Sequence, residues 1–348
     1  MTFPRPLHVR RHVFTRAARQ RFLFPLLLAP FLVTIFNLCV CAQQQPTTGA
    51  PDADEVVRVN TDLITVPVVV ADARGRRFAG LALSDFRVTD GGRPVKLDYF
   101  SAGTERVAVL FALDASGSAR EHIARQSEAA LAMFTRFGNN SRIAVLPFAA
   151  EAGFALPFTT DIDGARAAFQ LSARRNQRSA IFDAAAVALR AFNVAGADAR
   201  ERRIVVLSSD GLDTASHTSP DTVINQARLR GVSIYVIHFP LYTPQGDRLV
   251  VRRPAKGFRE LAEQTGGHYF RLGDARAALD PRATYDLAPV FRAIAKDLQS
   301  QYMLGYYLDA DARRRSERRI QVSLAPTHKR LRVHMLRESN LKTGTSDE

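Results

Sequence analysis

The sequence predicts an α/β protein, a doubly wound and mostly parallel sheet flanked by a small β-sandwich built from N- and C-terminal strands. Three observations carry that expectation. Val107–Leu113 (VAVLFAL) and Ile204–Ser208 are short continuous apolar runs, the pattern of parallel strands covered on both faces. Segments of helical period alternate with such runs from Arg106 to Gln299. On either side of this stretch lie Val/Ile/Thr-rich strand segments, each too short to bury a core alone, so they are expected to pair with each other around the α/β part.

Taken in order, Phe22–Ala42 (FLFPLLLAPFLVTIFNLCVCA) is an apolar run behind a leader with six arginines and no acid. Val40-Cys41-Ala42 sets small residues where a signal peptidase cuts, so export with cleavage near Ala42 is expected, leaving a periplasmic, cell-surface or secreted chain. An uncleaved N-terminal membrane anchor is the alternative, although Pro25, Pro30 and Asn37 interrupt it. Both cysteines, Cys39 and Cys41, lie in this segment, so a mature chain has no disulfide. Residues 43–55 read as a linker and 56–104 as the N-terminal β segment, with strands at Val56–Val59 and Leu63–Ala71 and a hairpin of Phe86–Thr89 with Val95–Phe100.

The α/β domain spans 105–300. After Val107–Leu113 come a helix over His122–Phe137, a strand at Ile143–Phe148, an edge strand at Phe154–Phe158 and helices at Gly164–Leu171 and Ile181–Phe192. Beyond Ile204–Ser208, Ser219-Pro220-Asp221 starts a helix with a cap, a first-turn proline and an acid at the positive end. Val232–His238 is a strand, Gly257–Gln264 a helix stopped by Gly266-Gly267, a short strand surrounds Phe270, and Ala288–Gln299 is the last helix. Residues 301–338 return to strands at Tyr302–Leu308, Arg319–Leu324 and Leu331–Leu336, and 339–348 form a tail.

The net charge of +14 does not mark a nucleic-acid binder. Without the leader, 42 bases face 34 acids. The excess gathers at Arg313-Arg314-Arg315, Arg318-Arg319 and Lys329–Arg332 with no aromatics interleaved, which reads as a solvated basic face.

The chemistry lies where the strands end. Leu113-Asp114-Ala115-Ser116-Gly117-Ser118 offers a carboxylate and two hydroxyls at alternate positions beyond the carboxyl end of a buried strand, where open α/β sheets bind ligands. Ser208-Ser209-Asp210-Gly211 brings a second carboxylate to the same edge, and Ser179 precedes a helix between the two. Oxygen donors of this kind suit Mg²⁺, Mn²⁺ or Ca²⁺, and no Cys or His nearby favours zinc.

Asp114-x-Ser116-x-Ser118, a later hydroxyl before a helix and Ser-Asp-Gly after a strand resemble the metal-ion-dependent adhesion site of a von Willebrand factor type A domain, a Rossmann-like fold. The flanks resemble a bacterial family of exported proteins that carries such a domain between β segments, through Val59-Asn60-Thr61-Asp62-Leu63, Asp85-Phe86, Asp90-Gly91 and Gln301–Tyr306. The resemblance implies that Asp114, Ser116, Ser118, Ser179 and Asp210 hold the ion, the serines directly and the aspartates directly or through water. It also implies that an Asp or Glu of a protein partner fills an open coordination position. The family usually has Thr where this chain has Ser179, so the oxygen is kept and the β-branch is lost.

An adhesion or assembly module is therefore expected rather than an enzyme. A structural envelope scaffold with a vestigial site is the alternative. Ser116 lacks the leading glycine of a nucleophile elbow and has no evident histidine base, and metal-assisted phosphoryl transfer lacks a glycine-rich phosphate cradle. Asp213 is expected to cap the turn after Gly211, Asp183 to stabilise the positive end of its helix, His217 to be solvated, and His238 to be a satisfied rim residue. Membrane contact is expected only through an uncleaved N-terminal segment.

Overall fold

A computed structural model of the protein describes residues 63–104, 106–116, 127–137, 140–170, 178–193, 200–274, 285–308, 317–336 and 340–342. All of them belong to one compact unit, Val59–Glu348. The leader, the linker, Val56–Val59 and Arg313–Arg315 lie outside the described residues. Among the described residues, no helix is long and apolar enough to cross a membrane.

The chain enters with β1 (Leu63–Asp72), β2 (Phe86–Asp90), β3 (Arg93–Val95) and β4 (Tyr99–Ala102). The α/β part follows as β5 (Val107–Asp114), α1 (Ser127–Phe134), β6 (Arg142–Phe148), β7 (Leu156–Thr159), α2 (Ile162–Ala168), α3 (Ile181–Arg190), β8 (Arg202–Ser209), α4 (Pro220–Arg230) and β9 (Val232–His238). It continues with β10 (Tyr242–Gln245), β11 (Arg248–Val251), α5 (Glu260–Glu263), β12 (Tyr269–Arg271) and α6 (Ala288–Gln299). The chain then returns through β13 (Gln301–Tyr307), β14 (Glu317–Leu324), β15 (Leu331–Met335) and β16 (Asn340–Lys342).

The central sheet has six strands in the order β12-β9-β8-β5-β6-β7, parallel except for the edge strand β7. Strand β5 shows why its sequence is uniformly apolar. Val107, Val109, Phe111 and Leu113 pack on the face covered by α1, α2 and α6, while Ala108, Leu110 and Ala112 pack on the face covered by α3, α4 and α5. Water is excluded from both faces, so period-two alternation disappears. Helix α4 starts as its sequence requires, with the Ser219 side chain accepting from Thr222 N and Pro220 in the first turn, and ends at Gly231 in the left-handed conformation.

The flanking strands form two antiparallel four-stranded sheets, β15-β1-β13-β4 and β16-β14-β2-β3. They share one core, in which Val66, Val68 and Val70 of β1 and Tyr302, Leu304 and Tyr306 of β13 meet Phe86 and Val88 of β2 and Ile320 of β14. Each sheet thus combines strands from before and after the α/β part, as the shortness of the two β segments requires.

Several local expectations are corrected. The Val95–Phe100 strand is divided: β3 completes a hairpin with β2, whereas β4 crosses to the other sheet and pairs with β13. The switch is decided by pairing with β13, some two hundred residues away, so the sequence period gives no sign of it. The Gly257–Gln264 helix shrinks to α5 because Gly257 has φ +91°, outside the right-handed helical region. Its neighbour Gly267 is required by close approach, since a Cβ there would lie 2.0 Å from the Ile234 carbonyl oxygen. The β10–β11 hairpin was not anticipated. Most consequential, Arg318 is no part of a solvated basic face. It is 1% exposed and inside the sandwich, with Nη1 donating to Asp90 Oδ2 at 2.9 Å, while the Tyr306 hydroxyl donates to the same oxygen at 3.1 Å.

A second polar network joins the sandwich to the α/β layer. Asp297 of α6 accepts from Tyr235 of β9 at 2.6 Å and from Gln301 of β13 at 3.1 Å. Its other oxygen lies 3.1 Å from Arg77 Nε, in the connection after β1, and 3.2 Å from His268 Nε2. Gln301 in turn accepts from buried Arg202 at 2.6 Å. Burial alone would raise the Asp297 pKa, but the hydrogen bond from His268, the Arg77 charge and the Tyr235 hydroxyl outweigh it and hold it below the usual 3.8. A lowered folded-state pKa contributes stability above the unfolded value that is lost as pH falls through it. Asp297→Asn is therefore expected to lower stability at pH 7 by about 2 kcal/mol. It should also flatten the loss of stability below pH ~4. Urea midpoints across pH for both proteins check this, and parallel acid limbs would refute it.

Candidate metal centre

Three strand ends and one helix start meet at the carboxyl edge of the central sheet. Asp114 is the last residue of β5 and has no exposed surface. The backbone turns sharply after it, because Ser116 N donates to Asp114 Oδ1 at 2.9 Å in an Asx turn. That turn swings the Ser116 hydroxyl back onto the same oxygen, at 2.5 Å. Ser179, from the loop entering α3, donates its hydroxyl to Asp114 Oδ2 at 3.0 Å. Ser209, the last residue of β8, donates to that oxygen at 2.6 Å. Hydroxyls from three separate segments thus converge on one buried carboxylate.

The Ser179 loop is held in place by its neighbours. Thr214 Oγ1 accepts from Ser179 N at 2.9 Å, and the Ser179 carbonyl accepts from Thr214 N and Ala215 N at 2.8 and 3.0 Å. Asp213 does not cap the turn after Gly211. Its Oδ1 instead accepts from Ile181 N at 2.8 Å, where it faces the positive end of α3, and from Ser216 Oγ at 2.6 Å. Asp183 stands in the first turn of α3, at its positive end as expected, and also holds the loop, accepting from His217 N and Thr218 N at 2.9 and 2.8 Å. His217 is solvated, as expected.

Asp210 follows Ser209 and is 8% exposed, with Oδ1 accepting from Leu212 N at 2.9 Å. Burial, with the nearby Asp114 charge adding to it, pushes its pKa up to about 6. Burial also raises Asp114, against the opposing hydrogen bonds from Ser116, Ser209 and Ser179. Two carboxyl groups that disfavour each other's ionisation are a pair that a shared cation would stabilise. Gly211, at φ +81°, has no room for a side chain, since a Cβ would lie 2.8 Å from Pro254 Cβ. His238 is buried beneath the site, with Nε2 against the Asp210 carbonyl at 2.9 Å and Nδ1 against the Tyr269 hydroxyl. Burial lowers its pKa to about 4, so it is neutral and satisfied.

Of the five residues expected to hold an ion, Ser116 and Ser179 both hydrogen-bond to Asp114, and Asp210 follows Ser209, which bonds to Asp114 too. Ser118 lies outside the described residues. Ser209 was missed. Strand alternation sends its side chain to the face opposite Asp210, but the parallel register, with Leu113 beside Ser208, makes Ser209 the neighbour of Asp114. Among the described residues no group of three or more His, Cys, Asp or Glu side chains is placed to hold a metal. A donor set of hydroxyls and two carboxylates fits a hard divalent cation and not a nitrogen- or sulfur-seeking one.

The sequence profile of the von Willebrand factor type A domain matches residues 108–282. The chain belongs to the von Willebrand factor type A family. In that family's terms β5 and β8 are the strands whose carboxyl ends carry Asp114 and Asp210. Solved structures resembling this von Willebrand A protein include an aerotolerance-related membrane protein from Bacteroides fragilis, with 19% identity and a TM-score of 0.41, covering 55% of this chain and 98% of that one. Proximal thread matrix protein 1 from the mussel byssus, described with a zinc-occupied MIDAS motif, has 16% identity and a TM-score of 0.45, covering 61% of this chain and 50% of that one. The Rpn10 VWA domain has 11% identity and a TM-score of 0.39, covering 54% and 95%. Comparison with curated proteins gives no match.

Proposed function

We propose that the chain is an exported protein-binding module that captures an acidic partner side chain through a divalent cation, Mg²⁺ or alternatively Mn²⁺ or Ca²⁺, held at the Asp114 centre. The observation that carries this reading is the convergence of Ser116, Ser179 and Ser209 on the Asp114 carboxylate. Asp114, Ser116, Ser118, Ser179 and Asp210 are the proposed ligands. A bound cation supplies Lewis acidity toward a partner carboxylate, and a shell rich in neutral hydroxyls leaves more of its charge for that purpose. Asp114 anchors the hydroxyl oxygens, Ser209 orients Asp114, and the Asp213 cap holds the Ser179 loop at the rim.

Binding rather than catalysis is the proposed role. In its support, the Ser116 hydroxyl is committed to Asp114, and His238 is engaged by Asp210 and Tyr269 rather than by any serine. The apolar, arginine-led segment 22–42 supports export. The test is capture from an envelope extract with the full chain as bait. A partner retained in Mg²⁺, released by EDTA and absent from an Asp114→Ala bait supports the reading. Capture indifferent to both changes refutes it and favours a scaffold that binds through another surface.

A further inference from the structure

The wall beside the metal centre is strongly basic. After β9 ends at His238, the chain makes the β10–β11 hairpin and returns along Arg252–Lys256 before α5. From Tyr242 to Arg259 it carries Arg248, Arg252, Arg253, Lys256 and Arg259 against the single acid Asp247. Arg259 pairs with Glu263 at 2.7 Å. The other four are exposed, and none makes an ion pair among the described residues.

This segment is fastened to the site. Ala255 N donates to the Gly211 carbonyl at 2.8 Å, one residue beyond Asp210, and Pro254 packs against the face of Gly211 that a side chain would occupy. The wall also exposes apolar surface, with Val250 41% exposed on β11 between Arg248 and Arg252. Four exposed cations on a segment joined to Gly211 create a positive field that steers and holds extra negative charge.

We infer that Arg248, Arg252, Arg253 and Lys256 form a docking wall for an acidic protein segment, whose further carboxylates lie along the hairpin while one of them takes the metal. This rests on the cation-dependent reading proposed above and adds to it the class of partner. A lone acidic side chain would use the ion alone. An acidic run would use both ion and wall, and would bind with marked salt dependence.

The test uses the purified full chain in Mg²⁺ and two fluorescent peptides of equal length, one with a single Glu among Gln and Gly residues, the other Glu-rich. Fluorescence anisotropy at low ionic strength is expected to show the Glu-rich peptide binding about tenfold tighter, with the advantage shrinking as salt is added. Reversal of Arg248, Arg253 and Lys256 to Glu should erase that advantage. Arg252 is left unchanged, and thermal melts confirm that the variant folds. Equal affinities, no binding of either peptide, or an advantage that survives charge reversal overturns the inference. A sulfated oligosaccharide that binds the wall where the Glu-rich peptide does not overturns the partner class. Glu-rich binding that is lost on charge reversal, yet indifferent to EDTA and to Asp114→Ala, sinks the metal reading and leaves the wall standing.

Discussion

Asp114→Ala should abolish stabilisation by divalent cations while leaving the fold intact in chelator. In the native protein, a cation at about one hundred times its dissociation constant adds about 2.7 kcal/mol. For an α/β domain of this size that corresponds to a rise in Tm of roughly 6 °C. Asp114 accepts all three converging hydroxyls, so its loss removes the anionic centre of the donor set. In EDTA two effects oppose each other. The variant escapes the burial that raises the Asp114 pKa, and it leaves the Ser116, Ser179 and Ser209 hydroxyls without their acceptor. The two proteins should then melt within a few degrees of each other. Differential scanning calorimetry with Mg²⁺, Mn²⁺ and EDTA reads both halves. A variant that keeps the cation-induced rise would show that the ion sits elsewhere or binds nonspecifically.

Asp90→Ala is expected to be the most damaging substitution in the sandwich. Asp90 ends β2 and is the carboxylate that meets the Arg318 guanidinium, whose side chain has no exposed surface. Tyr306 also donates to it, and burial together with the Asp90 charge raises the tyrosine's pKa. Removing the acid takes a buried ion-pair partner from the Arg318 guanidinium, at a cost of about 3–5 kcal/mol. Removing both partners is different. Asp90→Ala with Arg318→Met replaces the pair by apolar volume and should recover most of the loss, a coupling of about 2 kcal/mol or more. The chain has no Trp, so urea unfolding is followed by far-UV circular dichroism. A single variant costing under about 1 kcal/mol would mean that water reaches Arg318 and that the pair is effectively exposed.

The contrast between Arg318 and the wall residues shows what residue type alone conveys. Arg318-Arg319 and Arg252-Arg253 are both paired arginines in the sequence. One member of the first pair is buried against an acid more than two hundred positions away, while both members of the second are exposed. Nothing local separates them, because desolvation depends on which strands cover the side chain. The centre shows the same division. Asp114, Ser116 and Asp210 were legible because each ends or follows an apolar strand whose edge position can be inferred. Ser209 was not, since its contact arises from the parallel register between β5 and β8 and not from any spacing within one segment.

The sequence by itself determined the α/β layer order, the return of the flanking segments as strands, and the oxygen chemistry of the centre. Apolar runs, helical periods and strand-end carboxylates are local properties, and each constrains its own segment whatever the rest does. Only the tertiary structure decided the switch of β4 between sheets, the burial of Arg318, the part played by Ser209 and the docking of the Pro254–Ala255 segment against Gly211. Each of these is a contact between segments distant along the chain, set by register and by exclusion of water.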